Sequence, residues 1–137
     1  MQNTQIQSGN IHSSVVDHLF QGLASRVVEE LFKSGGFTYL SAYNTTSNRP
    51  ELGYSVGVRN LLIEYEVIDS LETETLVKNE LANAHAGQYN IGGWLDGTTL
   101  YIDKIALFKN EDDARQKCIE LGELAYYDFS KKEAIYV

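Results

Sequence analysis

Asp96-Gly97 sits between two β-prone runs, Gln88 to Leu95 and Thr99 to Phe108, and this short turn signal constrains the chain more than any other feature. Asp-Gly between apolar runs commits the flanking residues to an antiparallel hairpin, because few other residue pairs accept the backbone twist of a tight β-turn. The first run carries Gly92-Gly93-Trp94 and the second Tyr101-Ile102-Asp103, so the hairpin is rich in aromatics and glycine together. Asn110-Glu111-Asp112-Asp113 then caps a helix with Ala114, Cys118 and Leu121 facing inward, closed by Gly122. Leu124 to Phe129 and Ala134 to Val137 form a last hairpin over Ser130-Lys131-Lys132.

The first half follows the same rules. Residues 1–12 are polar and are expected as a flexible arm, with residues 13–137 as a single α+β domain. Ser13 or Ser14 caps a first helix, with Asp17 in its first turn and Gly35-Gly36 at its end. Its apolar pairs, Val15-Val16, Leu19-Phe20, Leu23-Ala24, Val27-Val28 and Leu31-Phe32, repeat every four residues, so the stripe winds slowly round the helix. Such a stripe fits either burial in the domain's own core or a helix-mediated homodimer. Phe37 to Tyr43 reads as a strand with Phe37, Tyr39 and Tyr43 on one face. Asn44 to Glu51 is a polar turn. Gly53 to Arg59 reads as a second strand, whose glycines suggest close approach of a chain or ligand. Leu61 to Ile68 reads as a third, with Ile63, Tyr65 and Val67 opposite Glu64 and Glu66. Ser70 or Thr73 caps a second helix that ends at Gly87. The expected architecture is α+β: an N-terminal helix and a mainly antiparallel sheet with helices packed on one face.

Composition narrows the function. The formal net charge of -8 repels phosphate backbones, so general nucleic-acid binding is not expected, although an acidic surface can also mimic nucleic acid. The N-terminus lacks the basic start and apolar block of a signal peptide, and no apolar run reaches membrane-spanning length. With a single cysteine, a cytoplasmic protein is expected. Asn44-Thr45-Thr46 then reads as turn chemistry rather than as a glycosylation acceptor.

Catalytic groups are not legible. His12, His18 and His85 have no metal-ligand spacing, and His12-Ser13-Ser14 matches a phosphodiesterase His-x-Ser motif only once. No phosphate loop or nucleophile elbow occurs. Cys118 reads as a buried core residue. Asp96, Asp103 and Asp128 could meet in space as paired carboxylates, but turn and capping roles explain each more simply. The expectation is a binding protein with no enzyme activity, cofactor or metal. Tyr89, Trp94 and Tyr101 lie on one hairpin and could sandwich a nucleobase, where stacking contributes roughly 1–3 kcal/mol per base. Arg59 and Arg115 could each fork onto a phosphate.

The order of motifs resembles a family of phage proteins. Gly53-Tyr54-Ser55-Val56-Gly57, then Gly92-Gly93-Trp94, then Tyr101-x-Asp103, a helix with spaced small residues, and Leu124-Ala125-x-x-Asp128 are similar to the anti-defence proteins that counter Thoeris immunity by sequestering its cyclic ADP-ribose signal. Gly-Gly-Trp modules of this kind also occur in large phage polyvalent proteins. The resemblance spans residues 37–137 and leaves out the leading helix. It implies a non-enzymatic sponge in the host cytoplasm, working as a homodimer or higher homo-oligomer. Its pockets for a cyclic nucleotide would lie between protomers and would be built from Arg59, Tyr89, Thr99 and Arg115. Trp94 is expected to serve core packing, and Gly92, Gly93 and Asp103 the fold. The alternative is an acidic phage inhibitor that binds a host defence protein directly.

Overall fold

The computed structural model describes the backbone of residues 2–67 and 69–137, with side chains from His18 onward except those of residues 59–61 and 68. The first helix, α1, runs Gln2–Ser34, so its backbone takes in the stretch expected as an arm and does not begin at Ser13 or Ser14. The polar residues there each cost a helix less than about 1 kcal/mol and none is proline, so nothing local halts propagation.

Seven strands follow: β1 (Gly36–Leu40), β2 (Thr45–Thr46), β3 (Tyr54–Glu66), β4 (Asn90–Asp96), β5 (Thr99–Phe108), β6 (Ala125–Asp128) and β7 (Glu133–Tyr136). They form one sheet in the order β2-β1-β4-β5-β3-β6-β7, every pair antiparallel. Helix α2 (Ser70–Gly87) precedes β4 and α3 (Glu111–Glu120) precedes β6. The α+β architecture and the antiparallel sheet are as expected, with local corrections.

The two strands expected at Gly53–Arg59 and Leu61–Ile68 are one strand, β3, bent by irregularities in its register with β5 between Gly57 and Leu61 and between Leu61 and Ile63. Tyr43 leaves the face of Phe37 and Tyr39 because Ser41–Tyr43 turns into a short 3-10 segment, which leaves Tyr43 exposed. The cap of α2 is Asp69 rather than Ser70 or Thr73; its Oδ1 accepts from the Glu72 amide at 2.8 Å. The hairpin loop is Gly97-Thr98, with Asp96 as the last paired residue opposite Thr99 and Gly97 taking φ +63°. Asn110 caps α3 as expected, accepting from the amides of Asp112 and Asp113 at 2.8 and 3.2 Å.

All three helices cover one face. Phe20, Leu23, Ala24, Val27, Val28 and Leu31 of α1 pack with Val77, Leu81 and Ala84 of α2 onto Phe37, Tyr39, Ile91, Leu100 and Ile102. A smaller second core joins Ala114 and Cys118 of α3 to Val56 and Tyr126, with Tyr54 and Phe108 at its margin. From Phe20 to Leu31 the winding stripe of α1 is therefore largely consumed inside the chain; the side chains of Val15 and Val16 lie outside the described residues. Leu19 and Phe32 remain exposed on α1, but they lie 13 positions apart, about 140° round an ideal helix, and make no common stripe.

Register decides which side chains reach the first core. Gly93 lies opposite both Phe37 and Ile102 on the covered face, and a Cβ on it would stand 2.2 Å from Phe37 Cε1. The Phe37 ring occupies the volume that a side chain at 93 would need. Trp94, one residue on, must then point to the opposite face. It is 51% exposed, which corrects the expectation of a core tryptophan.

Candidate functional site

Of the six residues singled out by sequence, the five whose side chains are described do not converge. Trp94 and Tyr101 are direct partners across β4 and β5, so their side chains stand together on the uncovered face of the sheet. Thr99 is on that face too, two residues along β5. Its hydroxyl donates to Glu66 Oε1 at 3.4 Å, and Thr98 donates to the other oxygen of the same carboxylate. Tyr101 also lies opposite Glu64, and Thr99 opposite Glu66. The pair is therefore flanked by carboxylates rather than by cations. That setting disfavours a phosphate.

Arg115 is elsewhere, on α3. Its Nη2 donates to Tyr126 Oη at 3.4 Å, its guanidinium carbon lies 5.7 Å from the Tyr126 ring centre, and Tyr126 Oη donates to Glu111 Oε2 at 2.6 Å. Burial, with the bond to Glu111, pushes the Tyr126 phenol up. Arg115 thus braces α3 against β6. The open hollow beside it is lined by Asp112, Gln116, Ile119 and Glu120, all of α3, with no second wall among the described residues.

Tyr89 is on the helix-covered side, where α2 ends. Gly87 makes room for it, since a Cβ there would lie 2.6 Å from Tyr89 Cε2, and the Tyr89 amide donates back to Ala84 O at 3.0 Å. Lys104 Nζ sits over the ring, 4.4 Å from its centre. Burial first, then the Glu80 carboxylate, pushes the Tyr89 phenol up, and burial pushes the Glu80 carboxyl up. The register places Lys104 between Ile102 of the first core and Ala106, which faces Val56 of the second. It therefore occupies the seam between the two helix layers. Opposite this seam, Gly57 pairs with Ile105 and Leu61 with Asp103, so Val58, Arg59 and Asn60 bulge out against Lys104 alone. The backbone of Arg59 lies in this bulge; its side chain is outside the described residues.

Sequence reasoning missed Lys104. The signal was present: the inward positions of β5 read Leu100, Ile102, Lys104, Ala106, Phe108, an apolar alternation broken by one cation.

Asp96, Asp103 and Asp128 do not form a carboxylate pair, in keeping with the simpler turn and capping roles. Asp128 is buried and its Oδ1 accepts from the amides of Ser130 and Lys131 at 2.9 and 3.1 Å, while Asp96 ends the hairpin. Asp103 instead approaches Glu123: their oxygens lie 3.6 and 3.8 Å from the point where a Cβ on Gly57 would stand. Burial, and secondarily Glu123, pushes the Asp103 carboxyl up. An acid whose folded value is raised opposes folding above that value, and the penalty disappears as pH falls below its unfolded value. Asp103→Asn is accordingly expected to raise Tm at neutral pH, and this gain should vanish in acid; thermal melts across pH check it.

Cys118 is buried, as expected, and its thiol donates to Glu123 O at 3.5 Å. Its thiol is pushed up chiefly by burial, then by Glu123. His85 is exposed on α2 with its ring edge-on to Phe20 at 5.7 Å, and His18 is exposed on α1. The His12 side chain lies outside the described residues. No helix among the described residues is long and apolar enough to cross a membrane. Comparison with protein-family models, with curated proteins and with solved structures returns no match.

Proposed function

We propose that this chain is a non-enzymatic phage anti-defence protein that captures a cyclic ADP-ribose-type nucleotide signal in the host cytoplasm. The observation that carries the reading is the seam at Tyr89 and Lys104. There a half-buried ammonium lies on an aromatic face, across from the strand bulge that holds Arg59. A nucleotide needs those elements: a ring to stack on, fixed positive charge for its phosphates, and an acceptor for ribose hydroxyls, here Glu80. The nucleotide class comes from the motif resemblance, as does the homo-oligomer in which a second protomer would close over the open seam. Capture by mass action needs affinity and abundance and leaves the ligand intact.

In this reading the site keeps Tyr89 and Arg59, gains Lys104, and releases Trp94, Tyr101, Thr99 and Arg115. Titration calorimetry with cyclic ADP-ribose isomers is expected to show binding that Lys104→Gln weakens at least about tenfold, the loss of one charge-assisted contact. Arg115→Ala should leave affinity unchanged. Heating the complex should return unaltered ligand. A chemically modified product would instead establish an enzyme, and no heat of binding with any isomer would sink the reading.

The alternative, an acidic inhibitor of a host protein, draws on a different surface: the carboxylates gathered around Trp94 and Tyr101.

A further inference from the structure

The uncovered face of the sheet combines an exposed tryptophan and a half-buried tyrosine with a one-signed charge pattern. One row across it reads Gly36, Trp94, Tyr101, Glu64; the next, toward the hairpin loop, reads Asp96, Thr99, Glu66; the row on the other side reads Thr38, Gly92, Asp103. Among the described residues, every charged side chain that the register assigns to this face is a carboxylate: Glu64, Glu66, Asp96 and Asp103. Glu66 is held in place by the hydroxyls of Thr98 and Thr99. Glu123 adds a fifth carboxylate beside Asp103. No Lys or Arg is paired with Glu64, Glu66 or Asp96 among the described residues.

We propose that this face docks a basic segment of a partner protein, with one arginine or lysine lying across the Trp94–Tyr101 pair and its head group directed toward Glu64 and Glu66 on β3. Tryptophan is the strongest cation–π platform, and flanking carboxylates supply the charge-assisted bonds that such a head group requires. Charge decides among the possible occupants. A second copy would bring the same carboxylates into contact, and nucleic acid would be repelled. Neighbouring rows stand about 7 Å apart, the spacing of alternate side chains in an extended peptide. A basic residue two positions from the one on Trp94 therefore reaches Asp103, whose carboxyl is half-buried beside Glu123.

Trp94 is the chain's single tryptophan, so its emission reports on this face directly. Titration with a short peptide alternating arginine and serine is expected to quench that emission saturably, and the affinity should fall as salt is raised. Glu64→Gln with Glu66→Gln should weaken binding at least about tenfold, since each removes a close charge pair. Asp112→Asn with Asp113→Asn removes the same charge from α3 and should leave the affinity as it was. Equal losses in the two double variants would reduce the effect to bulk acidity and overturn the proposal. So would an unsaturable response, or emission that shifts with protein concentration in the absence of peptide, which would make the occupant a second copy. This outcome is independent of nucleotide binding at Lys104, on the opposite face.

Discussion

Gly53→Ala is expected to destabilise the fold by about 4 kcal/mol, summing roughly 1–3 kcal/mol for a backbone region that suits only glycine and a similar cost for overpacking. Gly53 has φ +81° and ψ -101°, and a Cβ on it would lie 2.3 Å from Phe108 O and 3.1 Å from Lys109 Cα. Both obstacles are backbone, so no rotamer change relieves them. The residue also opens β3: Tyr54 pairs next with Phe108, and Gly53 O accepts from the Phe129 amide at 3.1 Å. Any shift at 53 therefore disturbs β3 against β5 and the start of the β6–β7 turn together. Gly35 isolates the conformational part, since it has φ +92° with nothing within 4 Å of its Cβ position. Gly35→Ala should cost only about 1 kcal/mol. Urea unfolding of the two variants measures the difference, and equal losses would refute the backbone clash. Against a total stability of roughly 5–15 kcal/mol, the Gly53 loss is large.

Leu23→Glu combined with Val27→Glu should unfold the protein. Leu23 is 6% and Val27 1% exposed, both inside the core formed by α1, α2 and the sheet. Each substitution places a carboxylate among the apolar side chains of the core, at a cost of several kcal/mol whether the group ionises or is held neutral. Two such penalties exceed ordinary domain stability. Leu19→Glu, at a site 57% exposed, should stay within about 0.5 kcal/mol. Far-ultraviolet dichroism with size-exclusion chromatography separates the possibilities. A double variant that stays folded but becomes smaller would show these residues at a protomer interface, and loss of the folded signal shows them in the core.

The α1 stripe shows how far patterning can be read. Its period announced a helix with a broad apolar face, but period alone does not say whether the cover comes from the same chain. Only the position of α2 and β1 answers that. β3 gives the converse lesson. Gly53–Arg59 and Leu61–Ile68 read as two strands, yet pairing with β5 resumes beyond a bulge, because a neighbour's hydrogen bonds can carry a strand through residues that would end it in isolation. The site was the least legible part. Trp94 and Tyr101 were correctly seen as neighbours because they share one hairpin. Arg115 was placed in a nucleotide pocket by the resemblance, while its partner turned out to be Tyr126, eleven residues on in β6.

What the sequence determined alone was local: the hairpin at Asp96-Gly97, the cap at Asn110, the buried cysteine, and the alternation of β5. Each depends on backbone sterics or on period within a few residues. What the tertiary structure decided was the assignment of faces. The Phe37 ring over Gly93 sends Trp94 to the uncovered side, and the gap between two helix layers leaves Lys104 against Tyr89. Both outcomes depend on contacts between residues far apart in the chain, whose sequence neighbours carry no record of them.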